Sequence, residues 1–171
     1  MNVRNKIWEE IKQAHANTLC IGWYTNRQRK FARYYELFIS LVASGGAFGF
    51  LFNSWLPFIS TLIIAFVSVA KAIFPQFLQP EKELCDLDSL MVYYNKYMAD
   101  MEKLFFCLDD DSISEHEAVD QLHDMKLSES EKQAVLNKLI RNIPSKRDKK
   151  IQNESTEYIN RVYYNKYEQQ K

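Results

Sequence analysis

The sequence predicts an all-α membrane protein, a two-helix transmembrane hairpin joined to a helical cytosolic domain, and three observations predict it. Gly and Pro occur four times each in 171 residues while Tyr and Phe reach 10 and 11, a composition of helices with aromatic packing. Apolar residues recur every three or four positions through most of the chain, and no segment sustains the alternation of a strand. Between Leu37 and Ala70 stand 34 consecutive residues without a charged side chain, well beyond the roughly 20 that cross a bilayer once as a helix.

Val3, Ile7, Ile11, Ala14 and Thr18 or Leu19 share one helical face beside Trp8, so residues 1–33 read as an amphipathic, basic N-terminal cytosolic helix. It is expected on the membrane surface or against the later helices. Met1 to Ala14 lacks the apolar core of a signal peptide. One helix over the uncharged run would measure about 51 Å against a hydrocarbon core of about 30 Å, so the run is expected to break. Asn53-Ser54-Trp55-Leu56-Pro57 supplies the break: Asn and Ser favour turns, Pro57 suits the first turn of a new helix, and Trp55 suits an interface. The hairpin region, 34–78, then holds two spans, Tyr34 to Phe52 and Pro57 to Phe74. Arg27, Arg29, Lys30 and Arg33 precede the first span, Lys71 and Lys82 lie at or beyond the end of the second, and the turn is uncharged. Positive-inside places both termini in the cytoplasm. The alternative is a soluble helical protein that buries the hairpin, in keeping with a mean hydropathy of −0.36.

In the cytosolic domain, 79–171, Pro80 opens a long helix whose Leu84, Leu87, Met91, Tyr94, Met98, Met101 and Phe105 form one apolar face. Asp109-Asp110-Asp111-Ser112 ends it. Ser114 with Glu117 and Ser128 with Glu131 have capping-box spacing and predict helices from Glu115 to Met125 and from Glu129 to Ile143. After Pro144 a last helix is expected from Lys149 to Glu168, anchored by Ile151, Tyr158, Ile159 and Val162. The hexapeptide Val92-Tyr93-Tyr94-Asn95-Lys96-Tyr97 recurs as Val162 to Tyr167, but its flanks do not match and no repeat architecture follows.

Small residues mark the packing faces. Gly45 and Gly49 have the spacing that lets a second helix approach closely, and Thr61, Ala65 and Ser68 run along one face of the second span. These stripes serve packing of the two spans, or packing on one side and a lumen on the other with Asn53, Ser60 or Lys71. Asn53 and Trp55 would stand at the outer mouth. Two helices cannot enclose a pore, so conduction requires several copies in a closed ring.

The formal charge of zero conceals strong segmentation and excludes a general polyanion binder. Residues 79–131 carry four basic and fifteen acidic side chains, and residues 132–171 carry ten basic and four acidic. These segments attract one another within a protomer or between neighbours; the other reading gives Lys146, Arg147, Lys149 and Lys150 to RNA or an anionic lipid.

No catalytic constellation is expected. The chain has no phosphate-binding Gly loop, Walker motif or Gly-x-Ser-x-Gly, and Cys20, Cys85 and Cys107 with His15, His116 and His123 lack zinc-ligand spacing. Asp109 to Asp120 lacks the central Gly of a calcium loop. No Arg precedes a His by four to six residues, which argues against a ribonuclease of the HEPN class; His116 and His123 read as solvated. No metal, cofactor or small-molecule substrate is expected.

The N-terminal helix, the basic stretch Arg27-Gln28-Arg29-Lys30, the tight two-span hairpin and the following long helix together resemble the SLATT family of bacterial two-span effectors over Met1 to Leu108. With its helical extension the chain is similar to the small membrane accessory proteins of type VI-B CRISPR systems. The resemblance implies a homo-oligomeric ring in the bacterial inner membrane, a pore or channel that depolarises it in antiviral defence, and an RNA-guided RNase or its RNA as a partner. A non-conducting membrane scaffold that recruits such a partner is the alternative.

Overall fold

The computed structural model describes residues 3–49, 56–74, 78–140 and 142–168, with side chains described for 3–42, 61–62, 65–74, 78–140 and 142–162. The fold is all-α: α1 is Val3–Gly49, α2 Leu56–Ile73, α3 Glu81–Asp109, α4 Glu115–Leu139 and α5 Ser145–Glu168. Among the described residues no helix is long and apolar enough to cross a membrane. The expected break at 53–55, the surroundings of Gly45 and Gly49 and the side chain of Ser60 lie outside the described residues.

The chain forms two compact units, one of residues 1–24 and 85–171, the other of residues 25–84. The N-terminal helix of the sequence reading therefore does not stand apart. Residues 3–33 and the start of the first span are one unbroken α1, because no Gly, Pro or capping sequence interrupts them before Gly45 except Gly22, which a helix tolerates. A side chain at 22 would meet Met91 Sδ of α3 at an ordinary 3.9 Å.

In the first unit α1 is central. Ile7, Ile11, Ala14 and Ile21 are fully buried at helical spacing. Along α3 the buried set is Leu84, Leu87, Leu90, Tyr94, Tyr97, Met101, Leu104 and Leu108, spaced by three or four. The expected Met91, Met98 and Phe105 are only half-buried, one position off this seam. Leu84, Leu87, Tyr94 and Met101 of the expected face are buried, and the three misses each lie beside a buried neighbour, Leu90, Tyr97 or Leu104, because three-four spacing fits adjacent positions equally well.

The α3–α4 turn is built locally. Ser112 N–H donates to Cys107 O at 3.0 Å, the six-to-one bond of a Schellman cap, with Asp111 in the left-handed region at φ 55°. Ser114 then forms the expected capping box: Glu117 N–H donates to Ser114 Oγ at 3.2 Å, and Ser114 N–H to Glu117 Oε2 at 3.0 Å. The second box does not form. Helix α4 runs through Ser128 to Glu131 without a stop, because no Gly or Pro interrupts it; within it Ser130 Oγ donates back to Leu127 O at 2.8 Å. It ends at Leu139 with Ile140 as its cap, and α5 begins at Ser145, four residues earlier than expected, with Pro144 O accepting from Arg147 and Asp148 N–H.

Candidate functional site

In the first unit, the face α4 turns to α1 and α3 carries a polar seam. Glu129, Gln133 and Asn137 follow one another at i, i+4 and i+8 on α4. Gln13 Nε2 donates to Asn17 Oδ1 at 3.1 Å, Asn17 Nδ2 to Gln133 Oε1 at 2.9 Å, and Gln133 Nε2 to Asn137 Oδ1 at 3.2 Å. The carboxamides thus form a one-way chain across α1 and α4. Tyr94, with no exposed surface, brings its hydroxyl to 2.7 Å from Gln133 Oε1 and 3.1 Å from Glu129 Oε1. Tyr97 reaches Glu10 Oε2 at 3.4 Å, and Lys126 holds Glu10 Oε1.

The seam's electrostatics follow from burial. Desolvation pushes the Tyr94 and Tyr97 phenols well above their ordinary value, and neighbouring Glu129 and Glu10 push them further, so both stay protonated donors. Desolvation, then the Glu10 charge, raises the Glu129 carboxyl, against the lowering effects of Tyr94 and Lys126. Beside the seam a cavity of about 230 Å³ lies between α1, α4 and α5, bounded by carboxamides, Cys20 and Asp148 over an isoleucine floor. Burial, with Asp148, pushes the Cys20 thiol to about 11, so it is not a nucleophile at neutral pH.

On the other side of α1, Ser155 is buried between Ile151 and Ile159 of α5. Its Oγ donates to Lys12 O at 2.7 Å and lies 3.1 Å from His15 Nδ1, while the His15 ring stacks on Tyr158 at 4.4 Å. Burial lowers the His15 pKa. Ile151 and Ile159 are the anchors the sequence predicts, whereas Tyr158 and Val162 remain partly exposed.

The basic start of α5 divides. Arg147 lies over the Trp23 ring at 5.6 Å and faces Glu154 at 4.0 Å, and Lys150 pairs with the same Glu154 at 3.6 Å. Lys146 and Lys149 are exposed. Two of the four candidate contacts for RNA or lipid are therefore engaged within α1 and α5. The acidic middle segment meets the first helix: Arg4 pairs with Asp109 and Lys126 with Glu10. His116 and His123 are exposed, His116 standing 4.0 Å from Asp120.

In the second unit, the Phe74 ring stacks on Tyr35 at 4.6 Å and lies 6.0 Å from Phe31, and Arg29 faces Glu81 at 3.8 Å. Phe38 and Val42 of α1 share an open apolar groove with Leu62, Ala65, Phe66 and Val69 of α2. Phe74 opposite Tyr35, and Leu62 to Val69 opposite Phe38 and Val42, make the two segments an antiparallel hairpin. Thr61, Ala65, Ser68 and Lys71 are all exposed in the protomer. Asn53 and Trp55 lie outside the described residues.

The seam is what the sequence reading missed, and its signal is the polar i, i+4, i+8 series on α4 beside Gln13 and Asn17 on α1. Among the described residues no group of three or more His, Cys, Asp or Glu side chains is placed to hold a metal ion. No family model matches the chain, and neither a curated protein nor a solved structure matches it.

Proposed function

We propose that the chain is an integral membrane protein whose hairpin spans the bacterial inner membrane with both termini in the cytoplasm, and that several copies close into a pore that dissipates ion gradients. One observation carries this reading. The hairpin presents large apolar side chains outward, with Leu41 at 73%, Phe66 at 65%, Leu62 at 64%, Val69 at 56% and Leu37 at 55% exposure, inside a run of 34 residues without a charge. Left in water these five would forgo on the order of 10 kcal/mol of burial, at about 1.5–3 kcal/mol each. Lipid or further copies of the hairpin must cover such a surface. The 18 residues of α2 reach about 27 Å, short of a hydrocarbon core of about 30 Å, and on this reading local thinning of the bilayer and oligomerisation make up the difference.

The aromatic cluster of Phe31, Tyr35 and Phe74 at the base of the hairpin suits the headgroup level, with Arg27, Lys30 and Arg33 on the cytoplasmic side. Gly45 and Gly49 would set helix approach between or within copies, and Asn53, Trp55 and Ser60 the outer mouth. The sequence resemblance to SLATT effectors and to the membrane accessory proteins of type VI-B CRISPR systems supports a role in antiviral defence, with the first unit coupling the pore to its trigger.

The test has two stages. An alkaline carbonate wash of expressing cells should leave the chain in the membrane pellet; complete release as a folded protein would remove the membrane reading. The purified chain reconstituted in liposomes should then release a trapped ion. Retention without leakage, together with capture of an RNA-guided RNase, would establish the non-conducting scaffold instead.

A further inference from the structure

We propose that the cavity between α1, α4 and α5 binds a small cation that carries its charge on an aliphatic stem, a guanidinium of the arginine type being the head that fits it. The site lies wholly within the first unit and stands independently of whether the hairpin crosses a bilayer.

The cavity holds one charge and no answer to it. Its polar wall is Gln13 and Asn17 of α1, Gln133 and Asn137 of α4, and Asp148 and Gln152 of α5, around about 230 Å³. None of its described lining residues is Lys or Arg. Among the described residues Asp148 makes no ion pair: its neighbour Arg147 is engaged by Trp23 and Glu154, and Lys146 and Lys149 are exposed.

Asp148 stands in the first turn of α5, where the helix dipole favours a carboxylate whatever its direction. The dipole therefore does not explain why this one borders the cavity. Its charge reaches the Cys20 thiol on the α1 wall, where burial is the larger effect and Asp148 adds to it. The same burial marks the wall as poorly hydrated, and a charge pair gains more there than on an open surface.

The rest of the wall selects the ligand. An anion would face Asp148 with no cation to hold it, and an apolar molecule would cover carboxamides without replacing their hydrogen bonds to water. A cation pairs with Asp148 and spends its remaining N–H groups on carboxamide oxygens. Whichever way the chain from Gln13 to Asn137 runs, its two ends and Gln152 keep oxygen lone pairs for a further donor. A guanidinium presents five such donors in one plane, against three on an ammonium. Its methylene stem suits the floor of Ile140, Ile143 and Ile151. A wider recess of about 440 Å³ shares Ile140, Ile143 and Asp148 with the cavity and gives access past Lys149. Lys149 repels a second positive charge, so one cationic head enters and an anionic far end is favoured.

Equilibrium dialysis of the purified full-length protein against labelled L-arginine tests the site. One equivalent should bind saturably. Excess citrulline, which keeps the stem and carries an uncharged urea in place of the guanidinium, should not displace it. Asp148→Asn should weaken binding roughly ten-fold or more, the worth of a charged hydrogen bond, while Asp110→Asn on the α3–α4 turn should leave it unchanged. Absence of saturable binding, equal displacement by citrulline, or an Asp148→Asn protein that binds like the parent each overturns the proposal. Should Asp148→Asn not fold, Gln152→Leu decides, because it removes an acceptor from the wall without touching a charge; binding as tight as the parent's overturns the site. N-acetyl-L-arginine amide separates the sources of the same head: tighter binding than free arginine assigns the cavity to an arginine side chain of a partner, weaker binding to a free ligand whose carboxylate meets Lys149.

Discussion

Arg4, in the first turn of α1, holds the last turn of α3: its Nη2 donates to Leu108 O at 3.2 Å and its Nη1 lies 3.3 Å from Asp109 Oδ1. The carbonyl is one of those a helix leaves without an internal partner, and a cation there also meets the negative end of the helix dipole. Both ends of the pair are partly exposed, which limits its worth. Arg4→Ala should cost about 0.5–1 kcal/mol, a few degrees in thermal midpoint, and the difference should shrink as salt is added. Arg4→Lys should recover only part of it, because a single ammonium cannot reach carbonyl and carboxylate in the fork geometry. Thermal melts at low and high salt check both statements.

Tyr94 and Tyr97 are one turn apart on α3 and both buried, but their hydroxyls are not equivalent. The Tyr94 hydroxyl lies within 3.1 Å of both partners, whereas that of Tyr97 reaches Glu10 at 3.4 Å, a long contact to a group already held by Lys126. Tyr94→Phe should cost about 1–2 kcal/mol in a urea titration with little change of slope, and Tyr97→Phe about half that or less. Equal losses would show that burial of the rings, and not the seam, sets the cost.

Ser155 fixes how closely α5 approaches α1. It is buried, small, and bonded to Lys12 O, with isoleucines four residues to either side. Ser155→Ala keeps the approach but strands the Lys12 carbonyl, at about 1 kcal/mol. Ser155→Leu should displace α5, with a cost of 1–3 kcal/mol or more. Limited trypsin digestion reads the difference, since a displaced α5 unfolds locally more often and is cut faster after the exposed Lys149 and Lys150; equal digestion of parent and Leu variant would show that α5 is not held there.

The elements of this fold were legible wherever one physical signal acted alone. Helical spacing located α1, α3 and α5, and the Ser114–Glu117 box located the start of α4. Where two signals competed, spacing was insufficient. Ser128 and Glu131 satisfy the capping pattern, but helix propensity carried α4 through them and Glu129 turned to the seam. On α3 the expected and the buried face share Leu84, Leu87, Tyr94 and Met101 and differ at three adjacent choices, Met91 against Leu90, Met98 against Tyr97 and Phe105 against Leu104; at the second of these the Tyr97 hydroxyl finds Glu10 on α1. The seam itself was hidden because Gln and Asn read as surface residues until a second helix supplies their partners. Ser155 gave no signal, since a small polar residue on an apolar face is visible only through what it approaches.

His15 gives α5 a pH dependence. Burial lowers its folded pKa below the ordinary 6.5, so the stabilisation is present above that value and is lost as pH falls toward the folded pKa. Hydrogen-exchange protection over residues 151–159 should therefore weaken in acid. His15→Phe keeps the stacking surface for Tyr158 and should remove the acid loss. If α5 weakens equally in that variant, the titrating group is elsewhere.

Phe66, 65% exposed on α2, separates the lipid-facing reading from a buried-hairpin one. A charged residue near the bilayer centre costs about 2.5–3.5 kcal/mol on insertion scales, whereas an exposed position on a water-facing helix tolerates it within about 0.5 kcal/mol. Phe66→Glu should therefore reduce retention in the carbonate-washed pellet, while the urea midpoint of the first unit, followed by Trp8 and Trp23 fluorescence, stays unchanged. Gly49→Leu makes a complementary change, placing a bulky side chain where close helix approach is proposed without adding charge. It should leave membrane retention intact and lower the oligomer mass of the detergent-purified protein. Loss of retention in Phe66→Glu with loss of oligomer in Gly49→Leu would assign lipid contact and helix packing to different residues of the hairpin. Unchanged behaviour of both would leave the exposed apolar surface facing neither lipid nor a second copy, and the pore proposal would fall with it.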